Sequence, residues 1–103
     1  MKYIMKVRFS NESASDKIRD PQFGMKMQEL LSEVKAEAAY FTTIGGRRGA
    51  YVVVNMSDAS QMPALAEPFF SFLKAEIDFI PVMTPEDLGK AGTSIQAAVK
   101  KWG

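Results

Sequence analysis

Four residues stand out as able to handle a proton: Tyr40, Tyr51, Glu76 and Asp78, each within or beside a stretch rich in β-forming residues. They matter because the chain has no His and no Cys. Lack of imidazole removes the usual general base near neutral pH and the commonest transition-metal ligand. Lack of thiols excludes disulfides, thiolate catalysis, iron–sulfur clusters and cysteine zinc sites. An acid–base role then needs a carboxylate shifted by burial, or a tyrosine. Glu86 and Asp87 follow Thr84-Pro85 and read as helix-start charges rather than metal ligands, so neither a metal site nor a cofactor is expected.

A second set of residues suits binding rather than chemistry. Phe23, Met27, Phe69 and Phe72, with Met25 and Phe70 nearby, could line an apolar pocket between helices and sheet. Helical spacing explains most of these positions equally well as plain core. Lys6 and Arg8 share a strand face with Ile4. Arg8 with Asp78 would supply the polar contacts of such a pocket, or else line an exposed strand. The run Gly45-Gly46-Arg47-Arg48-Gly49 allows two readings: an anion clamp of backbone amides and guanidinium groups, or a hairpin turn with solvated arginines.

The elements that must hold these residues follow from periodicity. Residues 2–9 alternate, with Tyr3, Met5, Val7 and Phe9 on one face, as in a half-buried strand. Residues 10–21 are polar and punctuated, which predicts a loop. Phe23, Met27, Leu30, Leu31, Val34 and Ala38 form one helical stripe and predict a helix over about 22–38. Residues 39–44 and 50–56 predict a hairpin across the glycine-bearing segment 45–49. A helix capped by Asp58 or Ser60 is expected to reach about Glu67 and break at Pro68, before a short Phe-rich turn. Residues 76–83 predict a fourth strand, placed at an edge by Pro81. Leu88, Ala91, Ile95, Val99 and Trp102 then predict one C-terminal helix. Gly89 and Gly92 each weaken it by roughly 1 kcal/mol, so it must dock to be stable.

This β-α-β-β-α-β-α order predicts an α+β fold: one ferredoxin-like domain over 1–103, with an antiparallel four-stranded sheet and an extra C-terminal helix. Strands three and four carry apolar residues on both faces. With only two sheet-packing helices, the second face is expected to meet another copy of the chain, as a homodimer. The 13 basic and 12 acidic residues nearly balance, which argues against nucleic-acid binding through phosphate neutralisation. Arg48-Gly49-Ala50-Tyr51-Val52 resembles part of the RNA-recognition-motif signature, but Ala50 breaks its aromatic register. Charges at positions 2, 6 and 8 interrupt any leader-like apolar run, and no stretch reaches membrane-spanning length, so a cytoplasmic protein is expected.

The Phe-rich, Pro-interrupted segment Ala66-Glu67-Pro68-Phe69-Phe70-Ser71-Phe72-Leu73 and the passage from Asp78 to Leu88 (DFIPVMTPEDL) carry a resemblance. Together with the full-length layout, they look like the dimeric α+β barrel superfamily, and within it the small, functionally uncharacterised bacterial members. Muconolactone isomerase and the cofactor-free antibiotic-biosynthesis-type monooxygenases share that layout. The resemblance implies a homodimer binding a small, partly apolar molecule between helices and sheet. The alternative it implies is a small cofactor-independent enzyme of isomerase or monooxygenase type. Several catalytic members rely on His, so no catalytic residue carries over to this chain.

Overall fold

The structure is a computed structural model that describes residues Met1–Gly103. Strands β1 (Lys2–Arg8), β2 (Ala38–Ile44), β3 (Arg47–Asn55) and β4 (Glu76–Pro81) form one antiparallel sheet in the order β2-β3-β1-β4. β1 lies between its long-range partners, with Met5 opposite Val52 on one side and Phe79 on the other. That order is consistent with a ferredoxin-like fold. The element count departs from six: two helices fill the first connection, and two more follow β4.

The period-two pattern decides which face is buried. Met5, Val7, Val52 and Val54 are fully enclosed beneath helices α2 (Phe23–Glu33) and α3 (Met62–Leu73). Phe69 and Leu73 of α3 and Met27 and Leu30 of α2 complete that core. No helix covers the opposite face. Ile4, Tyr40, Tyr51, Val53 and Ile80 lie there, partly or fully exposed. The expectation that both faces would be buried is therefore met on one side only within the chain.

Several boundaries differ from the sequence expectation. The segment expected to be a loop holds helix α1 (Asn11–Ile18), started by Ser10, whose hydroxyl accepts from the Ser13 N–H at 3.3 Å. Only Ala14 of α1 is buried, so no apolar stripe announced it. Helix α2 ends at Glu33 rather than 38, because Lys35 takes a left-handed conformation (φ 53°). The Ala36 N–H then bonds back to Leu31 O and the Lys35 N–H to Ser32 O, a Schellman stop built without glycine.

The β2–β3 turn is two residues long rather than five. Gly45 and Gly46 both have positive φ, as a type I′ turn requires. Arg47 and Arg48 therefore belong to β3. α3 runs unbroken through Pro68; burial of Leu65, Phe69 and Leu73 on one stripe outweighs the single helix bond that the proline removes. A short 3-10 turn, Ala59–Gln61, leads into it and is started by a capping box between Asp58 and Gln61.

The C-terminal helix is divided at Ala91 into α4 (Pro85–Lys90) and α5 (Gly92–Trp102). Thr84 and Asp87 form the capping box that starts α4. Neither helix buries a residue, so the docking expected of this segment does not occur within the chain.

One glycine marks a close approach. A Cβ on Gly49 would lie 2.8 Å from the Val7 carbonyl oxygen and 2.7 Å from Ile44 Cδ1. Gly49→Ala should lower stability by about 1–3 kcal/mol, since β1 backbone cannot move aside cheaply. Gly24→Ala, in an exposed and open part of α2, should raise stability by about 0.5–1 kcal/mol. Urea unfolding midpoints check both signs, and an unchanged midpoint for Gly49→Ala would contradict the packing described.

Candidate functional site

Antiparallel register places side chains of the open face in rows across the four strands. One row is apolar: Ala38, Val53, Ile4 and Ile80. The next is Tyr40, Tyr51, Lys6 and Asp78, and the third is Thr42, Gly49, Arg8 and Glu76. Directly opposed side chains on such a face sit about 4.5–5.5 Å apart at Cβ. All four proton-handling candidates of the sequence thus fall on one surface. Tyr40 and Tyr51 are cross-strand neighbours. Glu76 and Asp78 lie two residues apart on the edge strand.

Electrostatics of this face are local. Arg8 Nη2 reaches Glu76 Oε2 at 2.9 Å, and Arg47 Nη1 reaches Glu76 Oε1 at 3.4 Å. Asp78 stands opposite Lys6 with no ion pair between them. At the far end of the face the Glu37 carboxylate accepts hydrogen bonds from Lys2 and Asn55. No polar or charged side chain is buried anywhere in the chain. The burial-shifted carboxylate that acid–base chemistry needs is therefore not made by one copy alone.

The helix side offers a different kind of site. A groove of about 430 Å³ runs between α3 and β4, lined chiefly by Met62, Pro63, Ala66, Phe70, Ile77 and Phe79, with Glu67 as its one charged residue. A second groove, of about 450 Å³, lies beside α1 and has only polar and charged walls, including Glu12, Asp16, Lys17 and Lys74. Small-molecule sites are commonly apolar with a few polar groups and hold about 300–1,000 Å³. The α3–β4 groove fits that description, and the α1 groove does not.

The structure separates the residues that the sequence grouped as ligand-binding. Phe69 is 1% exposed and Met27 5%, both inside the core. Phe23 stacks on Phe72 at 5.7 Å between ring centroids, at the rim of that core. Arg8 and Asp78 lie on the opposite face of the sheet, so the six do not converge on one cavity. Phe70, next to Phe69 in sequence, does line the α3–β4 groove, as do Met62, Ile77 and Phe79. Phe70 is among the apolar residues the sequence offers for a pocket, whereas Met62, Ile77 and Phe79 are explained by helix and strand periodicity alone.

The two arginines of the turn region also part company. Arg47 points to Glu76 on the open face. Arg48 Nη1 contacts the Asn11 carbonyl at 3.4 Å and Ser15 Oγ at 3.1 Å, tying β3 to α1. They do not form one anion clamp. No group of three or more carboxylates is placed to hold a metal ion, and no helix is long and apolar enough to cross a membrane.

A sheet covered by helices on one side, with an open second face and an apolar groove at one edge, defines a small α+β protein. The chain belongs to the family described as Domain of unknown function (DUF3303), which matches residues 1–96. Among curated proteins, no match to the chain is found.

The Glu37 cluster makes a prediction about pH. Hydrogen bonds from Lys2 and then Asn55 hold the Glu37 carboxyl below its usual 4.5. Bonds from Ser60 and Thr84 likewise hold Asp58 and Asp87 below 3.8. A carboxylate with a depressed folded-state pKa stabilises the fold above its unfolded value and loses that contribution as pH falls through the folded one. Thermal midpoints should therefore hold steady between about pH 7 and 5 and fall below about 4.5. Glu37→Gln should lose part of that acid slope, and superimposable curves for the two proteins would contradict the assignment.

Proposed function

We propose that the chain is a ferredoxin-like protomer of the dimeric α+β barrel type, acting as a homodimer that binds a small, partly apolar molecule at the α3–β4 groove. The observation that supports binding is the groove itself, a concave surface with apolar walls and a single carboxylate. Phe70 and Met62 are 40% and 39% exposed there, while Phe69 and Leu65 of the same helix are buried in the core. Large apolar side chains gathered at a concave surface are characteristic of ligand sites. Glu67 would orient a donor group on the ligand or repel an anion. The favoured ligand is thus neutral or cationic with an apolar body.

The homodimer is supported by the open face. Ile4, Val53, Ile80, Tyr40 and Tyr51 present more apolar and aromatic surface than water favours, and a symmetric partner is the commonest way to cover such a face.

One observation favours a second reading, that of a cofactor-independent enzyme. Tyr40, Tyr51, Glu76 and Asp78 share one face, and a covering partner would desolvate them together. Any turnover found on a small-molecule panel should then fall sharply in both Tyr51→Phe and Asp78→Asn. Turnover indifferent to both substitutions would sink that reading.

Binding is checked with an apolar fluorescent probe such as anilinonaphthalene sulfonate together with a cationic analogue of similar size. Phe70→Ala and Met62→Ala should each weaken uptake of the cationic probe by about five- to tenfold, the scale expected for losing part of one apolar contact. Glu67→Gln should narrow the preference for the cation. Thr42→Ala, on the opposite face, should change neither. Equal probe affinity in wild type and Phe70→Ala would refute the groove as a binding site.

A further inference from the structure

The C-terminal segment is the part of the chain that one copy does not use. α4 and α5 together span Pro85–Trp102 and bury nothing. Their apolar residues recur at helical spacing, with Leu88, Ile95, Val99 and Trp102 all exposed, Trp102 at 79%. Beside that stripe α5 carries Lys100 and Lys101 and no acidic residue, and neither lysine has an ion-pair partner. Lys101 lies over the Trp102 ring, 5.0 Å from its centroid. The tip of this arm is thus an apolar body with a cation against it, the chemistry that suits the α3–β4 groove.

Groove and arm agree in length and charge. Met62, Ala66 and Phe70 recur one turn apart along α3, so the helical wall of the groove is about 12 Å long. Ala66, the smallest of the three, leaves a notch between the other two. On α5, Ile95, Val99 and Trp102 span about 10 Å. Seating Ile95 beside Met62, Val99 in the notch and Trp102 beside Phe70 brings Lys101 towards Glu67. Glu67 is exposed and makes no ion pair of its own. The surface to be covered is also sufficient. A compact monomer of 11.4 kDa exposes about 5,800 Å², whereas this chain exposes 7161 Å² and extends to 58 Å. The excess is about 1,400 Å² per copy, against about 800 Å² per partner in a standard stable interface.

We propose, resting on the groove and dimer readings above, that α5 of one copy closes the α3–β4 groove of the other, and that a small molecule enters by displacing it. A chain cannot close its own groove this way. α4 has 6 residues and carries the start of α5 about 9 Å beyond β4. α5 has 11 residues, about 16 Å, so a reversal at Ala91 returns only its last 7 Å or so. Trp102 and Val99 would come back, and Ile95 would stay outside. The partner's groove is within reach. Groove and arm both lie at the β4 edge, so a two-fold axis that stacks the open faces with their β4 edges aligned serves both arms. Sheets packed face to face lie about 10 Å apart. Residues 82–84 and α4 together reach about 19 Å, which crosses that gap to the partner's helix side. The open faces stay free to meet each other.

The chain has no cysteine and a single tryptophan, at the tip of the arm, which gives two readouts. A chain carrying both Met62→Cys and Val99→Cys, treated with a short bismaleimide, should run as a covalent dimer on a denaturing gel. Each single variant should not, and neither should Thr42→Cys/Val99→Cys, whose first site is on the open face. The second readout is uptake of the cationic probe naphthylmethylammonium. Ile95→Glu/Val99→Glu should shift Trp102 emission to the red and tighten uptake by about five- to tenfold, the gain when a groove open about 10–20% of the time becomes fully open. Adding Phe70→Ala should remove that gain. A link confined to one chain, a link from position 42, or no link overturns docking between copies. Equal uptake by wild type and the Glu variant overturns the displacement and leaves the groove reading standing. Uptake by neither protein overturns the ligand reading, and the displacement with it. A wild-type chain that sediments as a monomer overturns the dimer and the arm contact together, while uptake that depends on Phe70 still supports the groove.

Discussion

The fold depends on one constraint: the apolar side of β1 and β3 can be buried on only one face with the helices available. Met5, Val7, Val52 and Val54 make a continuous apolar floor, and α2 and α3 dock on it through Met27, Leu30, Phe69 and Leu73. Burial of a large apolar side chain is worth about 1.5–3 kcal/mol, which is why α3 tolerates Pro68. Once those helices are placed, little apolar helical surface remains near the sheet. α1 contributes only Ala14 and serves mainly as a polar strap, held by Arg48. The second face is left with Ile4, Val53 and Ile80 in water.

That asymmetry governs what chemistry one copy can do. The period of two puts Tyr40, Tyr51, Lys6, Asp78, Arg8 and Glu76 on the open face together, so they share a surface whatever their function, while Thr43 and Arg48 fall on the helix side. In water such groups interact weakly. The Arg8–Glu76–Arg47 pairs are exposed, and pairs of that kind contribute about 0–1 kcal/mol. Covering the face would lower the local dielectric and strengthen each of these interactions. The groove between α3 and β4 is different, because its walls are apolar in the single chain and need no cover to act.

Strands and their faces were legible in the sequence, since alternation in residues 2–9 and 76–83 leaves little choice of register. Pro81 correctly signalled an edge strand. What the sequence hid were features set by single backbone conformations. Lys35 ends α2 in a left-handed conformation that a lysine does not advertise, and the stripe through Val34 and Ala38 suggested that the helix continued. The hairpin turn is shorter than Gly45–Gly49 implies, because two positive-φ glycines suffice and Gly49 is kept for close packing instead. α1 lacks apolar periodicity, and only Ser10 as cap, Glu12 in the first turn and Lys17 in the last could have revealed it. The grouping of Phe23, Met27, Phe69 and Phe72 with Arg8 and Asp78 joined residues from the two sides of the sheet, since Arg8 alternates with Met5 and Val7, the side on which the helices dock.

The C-terminal arm joins these points. A helix of eleven residues is marginal in water on its own, and Gly89 and Gly92 flank the junction at Ala91 with residues that favour an unfolded chain. Lys100 and Lys101 in its last turn complement the helix dipole, but such charges contribute only about 0.3–1 kcal/mol. Local interactions therefore do not account for an ordered α5, whereas burial of Ile95, Val99 and Trp102 would. The sheet has the converse deficit, an apolar row with nothing upon it.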